Sequence, residues 1–365
     1  MKTDLKVAIV CDWLTGIGGA ERVVLELHKL FPNAPIYTSQ YDKDAIDWFT
    51  DADVRTLWLQ KLPKSLKKFL PLLRAIAFRQ LNLSKYDLVI SSSGAEAKAV
   101  KTGKSTVHIS YIHAPTHYYW MRYQDYLKNP GFGKLDWLAR LGLKILVGPL
   151  RLLDHAAAQK PNYLIANSNF TKEQIKKYYG RDSIVIYPPV DVDRFKNSVK
   201  LSDRHGLLVI GRQTPYKKID LAVSAATELN FPLTVIGNGP DHNKLLKLAG
   251  DSVNFVTDAN DKQVKDYMSK AEAFIFPGID DFGIVAVEAL ASGTPVIAYN
   301  VGGTREYITN DNGLLFTQQN VESLSNAIKS LKNKKLKTAE IIKSADRFNV
   351  VEFRKNIFEF IRSTI

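Results

Sequence analysis

Short runs of β-branched and aromatic residues alternate with helix-length stretches along almost the whole chain. VAIVCDW, PIYTSQY, DVRTLWL, DLVISSS, VHISYIHA and YLIANS form one series of strand candidates; SIVIYPPV, GLLVIGR, PLTVIGNG, VNFVTD, AFIFPG and PVIAYN form a second. Nearly continuous apolar strands separated by amphipathic segments suit parallel sheets covered by helices on both faces, because each strand is then buried on both sides. The expected fold class is α/β, and the restart of the pattern predicts two such units. Gly180 is suited to end a helix and Pro188–Pro189 to stiffen an extended crossing. Domains are therefore expected over 1–181 and 182–349. Residues 350–365 carry Val351, Phe353, Ile357, Phe360 and Ile361 at helical spacing, a helix expected to pack back on the first domain. Ligands of open α/β sheets gather beyond the carboxyl ends of the strands, so a deep cleft between two facing units is the expected binding place.

The length of 365 residues accommodates two cores. A lone cysteine, Cys11, leaves no intramolecular disulfide or Cys-based zinc site to build. Charges at Lys2, Asp4 and Lys6 precede the first short apolar run, unlike a signal peptide, and no apolar stretch reaches the length of a membrane span. A soluble, cytoplasmic protein is expected, with room for a peripheral position on the inner face of the cell membrane. The net charge of +13 allows nucleic acid, anionic lipid or phosphorylated small molecules as partners. Lys61, Lys64, Lys67, Lys68, Arg74 and Arg79 mingle with Leu66, Phe69, Leu70, Leu72, Leu73, Ile76 and Phe78, and no acid interrupts them. The stretch from Lys134 to Leu153 repeats this composition with Arg140, Lys144 and Arg151. Both read either as helices for an anionic membrane surface or as core helices with a solvated cationic face. No nucleic-acid-binding motif accompanies the charge, so nucleic acid is not expected as a partner.

Three strand-to-helix turns carry candidate chemistry. Gly18 and Gly19 open a helix and offer backbone N–H groups to an anion, while Glu21 replaces the third glycine of a dinucleotide fingerprint and disfavours a nicotinamide cofactor. After LLVIGR, Gly211, Arg212 and Lys217 place two long cations on one turn, a clamp for a diphosphate. In AFIFPGIDDFGIVAVEALASGTPVIA, Asp280 stands at a helix N-terminus and Glu288 about two turns along, roughly 10 Å away. That suits two distant hydroxyl-bearing parts of one ligand better than one metal. Gly283 leaves the turn open for the N–H groups of Ile284 and Val285, beside Phe282. The strings Asp51–Asp53 and Asp191–Asp193 read as structural, so no metal is expected, and basic groups would neutralise a leaving diphosphate. Tyr118, Tyr119 and Trp120 would either stack on a sugar or pack.

Taken together, GGAER, YIHAP, IANSNFTKEQI, VIYPPVD, GRQTPYKKID and DFGIVAVE followed by ASGTPVIA resemble the retaining glycosyltransferases of family 4, across essentially the whole chain. The resemblance implies the GT-B fold, two facing Rossmann-like domains, with the donor on the second and the acceptor on the first. It also implies that Arg212 and Lys217 hold a donor diphosphate, Glu288 the nucleotide ribose and Asp280 the transferred sugar, with His113 beside that sugar. Asp280 stands where the family usually has Glu, one methylene shorter, and His117 where Arg is common. Among relatives with these segments GDP-mannose is a frequent donor, so mannosyl transfer to an acceptor hydroxyl is the implied activity; the two basic amphipathic stretches suggest a lipid-linked saccharide as the glycan acceptor. A nucleotide-sugar-binding protein without transferase activity, a sugar phosphate transferase or epimerase, and a basic nucleic-acid binder remain alternatives.

Overall fold

Among the described residues, parallel pairing alone builds both sheets. The computed structural model describes residues 5–62, 71–131, 133–196 and 199–365. The strands are β1 Val7–Cys11, β2 Ile36–Thr38, β3 Val54–Thr56, β4 Leu88–Ser93, β5 Val107–Ile112, β6 Tyr163–Ala166, β7 Ile184–Val185, β8 Leu207–Ile210, β9 Leu233–Ile236, β10 Val253–Val256, β11 Ala273–Phe276, β12 Val296–Tyr299 and β13 Gly313–Phe316. The helices are α1 Gly19–Leu30, α2 Pro71–Gln80, α3 Tyr123–Lys128, α4 Asp136–Ala158, α5 Asn169–Tyr179, α6 Val192–Phe195, α7 Ile219–Glu228, α8 His242–Leu248, α9 Asp261–Lys270, α10 Ile284–Ala291, α11 Val321–Leu331, α12 Thr338–Ala345 and α13 Val350–Thr364.

The first unit comprises Met1–Pro189 and Val351–Ile365, and its sheet has the order β3-β2-β1-β4-β5-β6-β7. The second, Val190–Val350, has the order β10-β9-β8-β11-β12-β13. In each, strand order reverses beside the first strand, between β1 and β4 and between β8 and β11. These are the switch points at which doubly wound sheets open a crevice for a ligand.

Each unit has its own core. Ile9, Val23, Leu27, Ile36, Ile90 and Ile109 pack together in the first, joined by Phe353, Ile357 and Ile361 of α13. Burial of each such side chain contributes about 2 kcal/mol, which holds a helix that a lone 15-residue segment would barely form in water. Val351 and Phe360 of the same segment are exposed and partly buried respectively. Val209, Ile219, Val223, Val235, Ile275 and Ile297 make the second core.

Two expectations need correction, and one strand had no forerunner in the sequence pattern. SIVIYPPV does not begin the second series: its strand is β7, which pairs with β6 through Ile165–Ile184 and Ala166–Val185. The hydroxyl of Tyr111 on β5 donates to the carbonyl of Ile186, fastening this segment to the first sheet. The division therefore falls after Pro189, later than 181. β13 was not foreseen; it starts at Gly313, where a Cβ would lie 2.0 Å from the carbonyl oxygen of Val296. Arg74 does not belong to a solvated cationic face: it is buried on α2 and ion-paired with Glu96, Nε to Oε2 2.9 Å, because a buried carboxylate needs a counter-charge. Lys2, Asp4, Lys64, Leu66, Lys67, Lys68, Phe69 and Leu70 lie outside the described residues.

Candidate functional site

At the switch point of the second unit, the chain leaves β8 through Gly211 and Arg212. A Cβ on Gly237, at the tip of β9, would come within 2.4 Å of the Gly211 carbonyl oxygen, so the two strand tips touch backbone to backbone. Buried Gln213 ties them together, donating from Nε2 to the Gly237 carbonyl at 2.6 Å and meeting His242 Nδ1 at 2.8 Å. Residues Pro215–Lys217 then make one tight turn, and Lys218 adopts a left-handed conformation (φ 55°) to start α7. Lys217 crosses the switch point to form an ion pair with Asp280 at the tip of β11, its ammonium 5.6 Å from the centre of the Phe276 ring. Gly278 permits this approach, since a Cβ there would meet Lys217 Cα at 2.9 Å. Arg212 is exposed on the same turn.

The segment after β11 is shaped by backbone rather than by side chains. Gly283 (φ 88°) caps α10 without a side-chain hydrogen bond, and the first turn of α10 holds no acid. The amides of Ile284 and Val285, in the first turn at the positive end of the helix, have no intrahelical acceptor. At the opposite end Arg204 donates to the carbonyl of Ser292 at 2.8 Å; burial lowers its pKa to about 10. Gly302 and Gly303 lie under the loop: Cβ atoms there would come within 2.6 Å of the Asp280 carbonyl oxygen and 2.2 Å of that of Asp281. Phe282 turns its ring inward against Tyr307 and Phe348, so it offers a ligand only backbone. Glu288 is buried on α10, 5% exposed.

The first unit uses its switch point differently. Asp12, directly after β1, accepts the amides of Gly94, Ala95 and Ala97 at 2.7–2.9 Å and fixes the turn after β4. Burial raises the pKa of Asp12, opposed chiefly by the Ala97 amide. His113 follows β5, half-buried; its Nε2 meets Ser92 Oγ at 2.7 Å and its carbonyl accepts from Asn167. Gly18 and Gly19 do open α1, but Glu21 lies in the first turn, with Oε2 2.8 Å from where a Gly18 Cβ would stand. Burial, with a smaller push from Asp12, raises Glu21 to about pKa 7 against the pull of its own backbone amide. A carboxyl thus occupies the seat expected for a phosphate.

Other candidates resolve into packing. The Tyr118 hydroxyl meets Glu96, Tyr119 is buried, and Trp120 donates to Asp154 at 2.7 Å while stacking on Tyr178. Asp53 pairs with Arg55, Asp191 caps α6, and Asp193 pairs with Lys196. Among the described residues no group of three His, Cys, Asp or Glu side chains gathers to hold a metal. Sequence reasoning passed over Asp12, Ser92, Gly302 and Gly303. An acid ending an apolar strand and a Gly-Gly pair after PVIAYN were the available signals.

A family model for Glycosyltransferase Family 4 matches residues 17–194, and one for Glycosyl transferases group 1 matches residues 190–348. The chain belongs to glycosyltransferase family 4. The two matches meet where the first unit ends. A D-inositol 3-phosphate glycosyltransferase 2 of Catenulispora acidiphila is 31% identical over 43% of this chain and 43% of its own. A GDP-mannose-dependent alpha-(1-6)-phosphatidylinositol monomannoside mannosyltransferase of Mycobacterium tuberculosis is 27% identical over 45% of this chain and 51% of its own. The chain spans about half the length of the curated relatives it matches. Among solved structures, sucrose-phosphate synthase from Thermosynechococcus elongatus gives a TM-score of 0.74 at 17% identity over 99% of both chains. Anabaena HepE in complex with UDP-glucose gives 0.69 at 19% over 99% of this chain and 100% of that one. These structural neighbours establish the GT-B fold, two Rossmann-like domains.

Proposed function

We propose that this family 4 glycosyltransferase moves a hexose, with retention, from a nucleoside diphosphate sugar to a hydroxyl of a lipid-linked saccharide. The observation that carries the reading is the second unit's switch point. There Lys217 pairs with the carboxylate of Asp280, and α10, whose N-cap Gly283 makes no side-chain cap, begins four residues after that carboxylate. Lys217 and the amides of Ile284 and Val285, with Arg212 nearby on the turn, supply positive charge where a departing diphosphate gathers negative charge. No metal is needed to neutralise that group. In this reading Asp280 accepts hydroxyls of the transferred sugar, and Glu288 those of the ribose. Asp280 already holds Lys217, so donor binding replaces a side-chain anion by a phosphate.

GDP-mannose is the preferred donor, in keeping with the mycobacterial relative named for it. The acceptor belongs to the first unit, near His113. There the buried Glu21 carboxyl favours a neutral, hydroxyl-rich group over a phosphate. A lipid-linked acceptor places the reaction at the inner surface of the cell membrane.

The test is a thermal-shift panel of GDP-mannose, GDP, UDP-glucose and UDP, followed by a transfer assay on lipid extracts with the stabilising donor. A ligand that binds the native state raises its melting temperature. Stabilisation by GDP-mannose, lost in Lys217→Ala and Glu288→Ala, supports the reading. Stabilisation by UDP-glucose alone replaces the donor, and no shift with any nucleotide removes the reading.

A further inference from the structure

Helix α4 has two apolar faces. Val147, Leu150 and Ala157 are buried against the first unit, with Asp154 between them satisfied by Lys98, Thr116, Trp120 and Tyr179. Yet Trp137, Leu138, Leu141, Ile145 and Leu152 are exposed by 63%, 49%, 48%, 65% and 74%. At about 100° per residue these five fall within an arc of about 100°, centred opposite the buried residues. A helix that serves only a core has no use for a second stripe of this kind, and an exposed apolar patch of this length marks a surface that meets something.

The charges say what it meets. At one edge of the stripe stand Lys144, exposed, and Arg140, which binds the carbonyls of Leu127 and Lys128 and so sits beside exposed Lys128. Asp136 pairs with Arg140 at 3.9 Å, and α3 carries one acid, Asp125, in its first turn. A stripe of Trp, Leu and Ile rimmed by Lys and Arg fits the interface of an anionic bilayer, apolar side chains among acyl chains and cations at headgroup phosphates. Among the described residues no helix is long and apolar enough to cross a membrane, so α4 would lie in the surface plane.

We infer that the outward face of α4 docks the first unit on anionic lipid, with Trp137, Leu141, Ile145 and Leu152 inserted and Lys144, Arg140 and Lys128 on headgroups. This rests on the lipid-linked acceptor reading and names the surface that brings the enzyme to it.

The test uses the full chain and vesicles of phosphatidylcholine with and without phosphatidylglycerol, in flotation at low and high salt. The wild type floats with the phosphatidylglycerol vesicles, and salt weakens the association. The pair Leu141→Gln and Ile145→Gln lowers partitioning tenfold or more, while Lys144→Glu lowers it only with the anionic vesicles. Trp137 emission shifts to the blue on binding, read as the difference from Trp137→Phe. Because these positions are exposed, melting temperature and nucleotide-induced shift stay at wild-type values. That separates failure of the docking face from failure of the donor site. No flotation, equal flotation of the double variant, or a solution dimer that the double variant dissociates would each overturn the inference.

Discussion

Replacing Asp280 by Asn should make the protein bind a bare nucleoside diphosphate more tightly. In the free protein the Asp280 carboxylate holds Lys217, and the two side chains are only 20% and 24% exposed, so solvent screens them weakly. A β-phosphate drawn to the same ammonium and to the α10 amides would stand about 5 Å from that carboxylate. Two unit charges at that distance repel by roughly 3 kcal/mol at an effective dielectric of 20, and about half that at 40. Taking the lower figure for a site open at one side, Asp280→Asn should tighten GDP or UDP binding about tenfold. The amide keeps a hydrogen bond to Lys217, so the fold should be unaffected. Lys217→Met should act in the opposite direction, weakening the same ligand tenfold or more. Transfer should fall in both variants, because Asn grips sugar hydroxyls less well and Met leaves the departing diphosphate without its cation. Titration calorimetry at fixed salt measures the affinities. Unchanged or weaker nucleotide binding by Asp280→Asn would refute the claim that carboxylate and phosphate compete for Lys217.

Gly302→Ala puts a methyl 2.6 Å from the Asp280 carbonyl oxygen at φ 100°, so it should cost the second unit roughly 2–4 kcal/mol and abolish the nucleotide-induced thermal shift. His108, buried with Nε2 2.9 Å from Ser91 Oγ, is lowered to about pKa 3 by burial, then by Lys160. The unfolded chain therefore takes up the proton first; stability is present above pH 6.5 and falls as pH drops toward 3. The loss is about 2 kcal/mol between pH 7 and 5, and chemical denaturation of His108→Gln should lack this acid limb. Glu21, raised to about 7, works in reverse: its stabilising proton is present below the unfolded value and lost as pH rises through 7. Glu21→Gln should thus gain about 1–2 kcal/mol at pH 8 and nothing at pH 4 in the same assay. Ser92→Ala removes the hydroxyl from His113 Nε2; kcat should drop about tenfold with little change in donor KM and a shifted pH profile, whereas a purely structural Ser92 would leave the profile in place.

Strand runs and turn chemistry made most of the fold legible, because parallel strands buried on both faces read as apolar runs. All twelve expected runs contain a strand. Strand order was not legible, and order is what creates the switch points. Only pairing shows that the turn bearing Lys217 and the loop bearing Asp280 flank adjacent strands, β8 and β11. β7 was assigned to the wrong sheet because a two-residue edge strand beside two prolines carries no signal of its partner. Arg74 was hidden in the same way: a cation on an amphipathic helix looks solvent-facing until Glu96 arrives from a distant position, just as the packing of Phe282 depends on Tyr307 and Phe348. Gly302 and Gly303 act through backbone oxygens they nearly touch, a constraint that leaves no pattern beyond the residue type itself.

A crystal structure with GDP-mannose soaked or co-crystallised tests the account most directly. The diphosphate should lie on Nζ of Lys217 and the amides of Ile284 and Val285, with ribose hydroxyls on Glu288 and mannose hydroxyls on Asp280 freed from its ion pair. A nucleotide bound away from the β8–β11 switch point, with the Lys217–Asp280 pair intact, would contradict it.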